Sequence, residues 1–156
     1  MTDFIQNHDQ LPESATRVEV LVGWLLRVMG GIVVLAIVPV FFPASWMKFL
    51  HELAELGAIP DQPIFWYLTR SLSLMYFAHG VFVFALSTNV RRYWPLIQLL
   101  CVLNLVIGIV LIGIDLNASM PWWWTIAEGP GIIAGGILLL ILVRKQQRKK
   151  WETTPK

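Results

Sequence analysis

WWWTIAEGPGIIAGGILLLILV, residues Trp122 to Val143, is the stretch whose reading decides the fold of this chain. Three tryptophans open it, apolar residues run almost unbroken to its end, and Glu128 is the one charge inside it, followed by Gly129, Pro130 and Gly131. About 20 apolar residues suffice for a helix to cross a hydrocarbon core of about 30 Å. A carboxylate and a helix-distorting Gly-Pro-Gly two turns inside such a span require a physical reason.

Working outward, three further runs share this character: Val20–Phe42, Ile64–Leu86 and Trp94–Ile114. The 156-residue chain is 56% hydrophobic and only 14% charged, and its charges gather in the tails and connections, leaving the four runs nearly free of them. The runs are too long for strands and lack the period-2 alternation of a membrane barrel. The expected fold is all-α, an up-and-down bundle of four transmembrane helices. It forms one domain over residues 20–143, with a polar tail at 1–19 and a basic tail at 144–156.

The connection PASWMKFLHELAELGAIPDQP, Pro43–Pro63, places Trp46, Phe49, Leu50, Leu53 and Leu56 at helical spacing with Lys48, Glu52 and Glu55 on the other side. That pattern predicts a short amphipathic helix on the membrane surface between the first two spans, ended by Gly57. His51 and Glu55 are four apart, but two ligands are fewer than a metal site needs, so a solvated face is the expectation and no metal is assigned.

Arg91 and Arg92 lie between spans two and three, and Arg144, Lys145, Arg148, Lys149 and Lys150 follow span four. The opposite side holds only Lys48 among lysines and arginines. The positive-inside rule therefore predicts cytoplasmic termini in the inner, cytoplasmic membrane. The net charge of +2 comes from residues abutting a span, where anionic lipid is the natural partner and nucleic acid is not. No signal peptide is expected in the polar first nineteen residues, and the single cysteine, Cys101, forms no internal disulfide.

Counting along each span places the buried polar residues by depth. Arg70 lies six residues below the outer end of span two and Glu128 seven below the outer end of span four, which runs from Pro121 to Val143, so both sit about 10 Å deep on the same side. Asp115 lies just above them. Opposite charges at one level suggest that Arg70 pairs with Glu128, with Asp115 as second acceptor, because paired charges are what a membrane interior tolerates. Glu128, Gly131, Ile132 and Gly135 share a face, and Gly131 with Gly135 makes a small-xxx-small pair expected to meet another helix closely. Pro130 cannot donate to the Ile126 carbonyl, so a local bend and a small polar pocket, with Trp124 beside it, are expected there.

In span three Gln98, Cys101, Asn104, Gly108 and Asp115 draw one polar and small-residue stripe that should face the bundle axis. Arg27, His79 and Asn104 suggest a second cluster at the inner side. Arg70 and His79, however, are nine residues apart, half a turn out of register, so they cannot both point to the bundle centre. Each candidate also has a plainer reading. Arg70, Asp115 and Glu128 can serve only to fix helix register, Arg27 can snorkel to inner-leaflet phosphates, His79 can be a packing histidine, and the tryptophans can anchor span ends.

RSLSLMYFAHG, residues 70–80, the Arg91-Arg92-Tyr93 turn, Asp115 and the Trp-to-Glu-Gly-Pro stretch resemble a group of small four-helix bacterial integral membrane proteins of uncharacterised function, and the topology is more distantly similar to DoxX-like proteins. Some DoxX-like members accompany quinone-linked oxidoreductases, which implies an accessory-subunit role alongside larger membrane-complex subunits. No catalytic motif carries over.

Two classes of function follow. The first is a non-catalytic integral membrane protein, an accessory subunit or a small-ligand or lipid-binding protein, with an outer-side site built from Arg70, Asp115, Glu128, Asn104 and Trp124. The second is a membrane-embedded enzyme or proton-handling, redox-associated protein using Glu128 and His79. No cofactor is required by the residues. A quinone would enter through the resemblance, and a haem would need His79 and a second ligand. Membrane lipid is the expected partner, with larger subunits or self-association covering the remaining faces.

Overall fold

The computed structural model describes residues 16–153, with side chains through residue 146. It is all-helical, with no strand among the described residues. The elements are α1 (Arg17–Val34), a 3-10 segment (Leu35–Phe41), α2 (Ala44–Leu53), α3 (Pro63–Leu86), α4 (Trp94–Asn117), α5 (Trp122–Ala127) and α6 (Gly129–Thr153). Four helical stretches are long and apolar enough to span a membrane: Arg17–Phe41, Pro63–Leu86, Trp94–Asn117 and Trp122–Gln146. The protein is thus a multi-pass membrane protein of the four-helix up-and-down type.

Local chemistry explains where the helices start and stop. Thr16 caps α1 through a reciprocal box: its hydroxyl accepts from the Glu19 amide at 3.3 Å, and the Glu19 carboxylate accepts from the Thr16 amide at 2.9 Å. Residues 16–19 thereby belong to the first helix and not to the expected tail, the rest of which lies outside the described residues. Proline occupies the first turn of both α3 and α4, where its missing N–H costs nothing. Ser87 and Thr88 close α3 by donating to the carbonyls of Phe84 and Ala85. The basic tail begins as a continuation of α6.

The amphipathic helix is present but shorter than its pattern. α2 ends at Leu53, and Glu55 and Gly57 then adopt left-handed backbone (φ 55° and 84°), with the Leu56 amide bonded back to the His51 carbonyl. Trp46, Phe49, Leu50 and Leu53 stay exposed on its apolar face, as an interfacial helix requires, while Met47 turns inward.

The helices associate as two antiparallel pairs, α1 with α3 and α4 with α6, joined chiefly through α1 and α6. Glycines make each pair close. A methyl group on Gly30 would stand 2.9 Å from the Gly80 carbonyl, and one on Gly80 would stand 3.0 Å from the Gly30 carbonyl. Gly108 and Gly129 are related in the same way, at 2.8 Å in each direction. Backbone-to-backbone approach of this kind drives helix association where lipid removes the hydrophobic incentive. Gly131, expected to make such a contact with Gly135, faces open space, and Gly135 touches only the Met29 side chain. The reason is rotational: α6 presents Gly129 and Gly136, seven residues apart, to α4, and this turns Gly131 outward.

The apolar core lies at one end. Val22 and Leu26 of α1, Val83 and Leu86 of α3, Ile97, Leu100 and Cys101 of α4, and Leu139 and Val143 of α6 form its cluster, all near the end where the chain enters and leaves the bundle. Toward the end that carries α2, buried residues are sparse, and two of them are Asp115 and Gly129.

Candidate functional site

The polar site at the α2 end is set by a break in the fourth span. α5 stops at Ala127, Glu128 takes φ −79° and ψ −76°, and α6 restarts at Gly129. Pro130 lacks the N–H that would have reached Ile126, so the ladder is interrupted where the sequence implied. The Glu128 amide still reaches the Trp124 carbonyl at 2.9 Å, and the Glu128 carbonyl accepts from the Ile132 amide at 3.1 Å. The helix is therefore bent and rejoined, and the half-buried Glu128 side chain is held at the joint.

Its partner comes from its own segment. Trp124 Nε1 donates to Glu128 Oε2 at 2.7 Å, one turn apart, and Trp123 stacks edge-on against Trp124 with ring centroids 5.7 Å apart. The triple tryptophan thus does more than anchor a span end. One of its rings satisfies half of a carboxylate.

Asp115 completes the site from α4. It is 4% exposed, and its Oδ2 is buried with no hydrogen-bond partner among the described residues. The stripe expected on span three does face inward: Cys101, Asn104, Gly108 and Asp115 are all buried, while Gln98 is half-buried. A buried carboxylate oxygen without a donor is costly in any protein and more so in a membrane span.

Arg70 does not answer that need. It is exposed, and its guanidinium donates to the Phe42 carbonyl at 3.4 Å, just past the 3-10 segment that ends the first span. No ion pair joins it to Glu128 or Asp115 among the described residues. Equal depth failed as a guide because α3 is committed to α1 through Gly80, and Arg70, ten residues earlier, is turned away from the α4–α6 pair. The α3 residue that lies within electrostatic reach of both Glu128 and Asp115 is Tyr76, which carries no charge and was not singled out in the sequence.

The second expected cluster is not assembled. Arg27 and His79 are exposed on α1 and α3, whereas Asn104 is buried against Gly136 of α6, 3.0 Å from where a methyl group there would stand. No hydrogen bond connects the three among the described residues. No group of three or more metal-ligating side chains occurs among the described residues either.

One ion pair that the structure does form was hidden in the presumed tail. Arg91 Nε donates to Glu19 Oε1 at 2.7 Å, and the carboxylate is only 10% exposed. The signal was available as Thr16-Arg17-Val18-Glu19, a capping box ahead of an apolar run. Beside this pair lies a pocket of about 350 Å³, at the end opposite Asp115. At the α2 end, Lys48 and Asp61 pair at 3.3 Å, and Trp66 Nε1 donates to the same carboxylate, tying α2 to the start of α3.

The fold and site define an integral membrane helical bundle with two carboxylates, Asp115 and Glu128, toward one end. No protein-family model, curated protein or solved structure matches the chain.

Proposed function

We propose that the protein is a non-catalytic integral membrane protein that binds a small cationic or hydrogen-bond-donating ligand at the α2 end, between Asp115 and Glu128. The observation that carries this reading is the buried Oδ2 of Asp115, which has no hydrogen-bond partner among the described residues, with a second carboxylate, Glu128, toward the same end of the bundle. Acidic groups inside a span call for a positive charge or a donor. Trp124 and Tyr76 add aromatic faces suited to an ammonium group. The positive-inside asymmetry would put this site on the outer face of the cytoplasmic membrane, with both termini inside. An accessory role beside larger subunits is compatible with the many exposed apolar side chains on the spans.

The alternative, an enzyme or proton-handling protein using Glu128 and His79, lacks support of this kind. His79 is exposed on α3, and no hydrogen bond among the described residues leads from it toward Glu128.

The test is thermal unfolding in lipid nanodiscs with choline, ethylamine or sodium chloride at matched ionic strength. One of the organic cations is expected to raise Tm saturably in the wild type and not in Asp115→Asn. An identical response in both proteins, or none in the wild type, would overturn the assignment.

A further inference from the structure

The pocket at the chain-terminal end is bounded by the first turns of α1 and the α3–α4 turn, and Glu19, Trp24, Arg27, Thr88, Asn89 and Arg91 line it. Its charges are unevenly used. Both oxygens of Glu19 are engaged, Oε1 by Arg91 and Oε2 by the Thr16 amide, and neither bonds Arg27 among the described residues. Arg27 has no hydrogen bond or ion pair among the described residues. Asn89 spends its Oδ1 on the Arg92 amide at 3.1 Å, which leaves its NH₂ as an open donor at the pocket. The lining thus offers a spare guanidinium and a spare amide, the donor set that suits a phosphate oxygen.

What leads away from the pocket indicates the rest of the ligand. Val20, Trp24, Val28 and Ile32 recur every four residues along α1 and are 58%, 63%, 39% and 64% exposed. They make a continuous apolar track from the pocket rim into the span, with Trp24 at the level where amphipathic rings settle in a headgroup region. A water-borne phosphate has no use for such a track. An acyl chain does.

We infer that this pocket is a binding site for the phosphate group of an anionic membrane lipid, with Arg27 as its main contact, Asn89 as a second donor and the α1 track receiving an acyl chain. The site is separate from the Asp115 and Glu128 site, and neither depends on the other.

Native mass spectrometry on protein released from mixed phosphatidylglycerol and phosphatidylcholine bilayers tests the lipid. The wild type should retain phosphatidylglycerol selectively. Arg27→Gln should lower that retention by about five- to tenfold, the effect of one cation near the surface. Arg27→Lys should restore most of it, and Arg144→Gln, an exposed charge at the same end of the bundle but outside the pocket lining, should lower it by much less. A second arm adds millimolar inorganic phosphate to protein in phosphatidylcholine alone and reads Tm. Stabilisation by phosphate that Arg27→Gln abolishes, without selective lipid retention, would keep the phosphate chemistry and overturn the lipid. Equal lipid retention by wild type and Arg27→Gln, with no response to phosphate, would overturn the site.

Discussion

Arg91 and Glu19, 72 residues apart in sequence, meet at 2.7 Å and tie the α3–α4 turn to the first turn of α1. The contact links the two helix pairs at the end where the core is densest, and Glu19 also closes the cap of α1. Glu19→Gln should therefore lower stability by roughly 1–3 kcal/mol, between the values for exposed and buried pairs. Thr16→Ala removes only one capping bond and should cost about 1 kcal/mol. Unfolding in a graded detergent mixture checks both, and equal losses would show that the ion pair adds nothing to the cap.

Gly30, Gly80, Gly108 and Gly129 should tolerate alanine poorly, because the added methyl group meets backbone, alone at Gly30 and Gly80 and together with an isoleucine side chain at Gly108 and Gly129. Overpacking of this kind costs about 1–3 kcal/mol. Gly131→Ala meets nothing within 4 Å and should be neutral or stabilising by up to about 1 kcal/mol, the helix-propensity gain. Ranking the five variants by Tm distinguishes the close pairs from the open position.

Arg70→Gln and Glu128→Gln should act additively in a double-mutant cycle, since each side chain has its own partner, Phe42 O for one and Trp124 Nε1 for the other. A coupling above about 0.5 kcal/mol would mean that the two side chains meet in the membrane. Trp124→Phe, in contrast, should couple strongly to Glu128→Gln.

The tie between α2 and α3 should weaken in acid. Hydrogen bonds from Lys48 and Trp66, and the Lys48 charge, hold the Asp61 carboxyl below its usual range. A carboxyl depressed in the folded state contributes above its unfolded value of about 3.9, and the contribution is lost as pH falls through the lower folded value. Protection of the amides in residues 54–62, taken relative to their intrinsic exchange rates, should therefore fall as pH drops from about 5 to about 3. Asp61→Asn should show the lowered protection already at neutral pH.

How far the sequence could be read follows from what each signal measures. Span length is dictated by the bilayer, so four helices were legible from apolar runs alone, and Pro130 announced the break at Glu128 because a missing N–H has one consequence in any helix. The inward stripe of α4 was legible because Asn104, Gly108 and Asp115 share one periodicity. Depth, however, fixes height and leaves rotation free. Arg70 and Glu128 share a level while belonging to different helix pairs, and only the choice of Gly80 over Gly131 as a contact settles which way each helix turns. Tyr76 gave no charge to notice, and Glu19 looked like tail because it precedes the apolar run whose cap it completes.

Both close-packed pairs are made of spans adjacent in the chain, α1 with α3 and α4 with α6. By the time Leu86 has been synthesised, the Gly30–Gly80 crossing has both of its sides, with nothing owed to the second half of the chain. The same holds for Gly108 and Gly129 once α6 is made. Insertion can proceed as two successive hairpins, with low sequence separation and little exposed polar backbone at either stage. The Arg91–Glu19 bond, which spans the junction, then acts as the clasp between a first hairpin already in the bilayer and a second one still arriving.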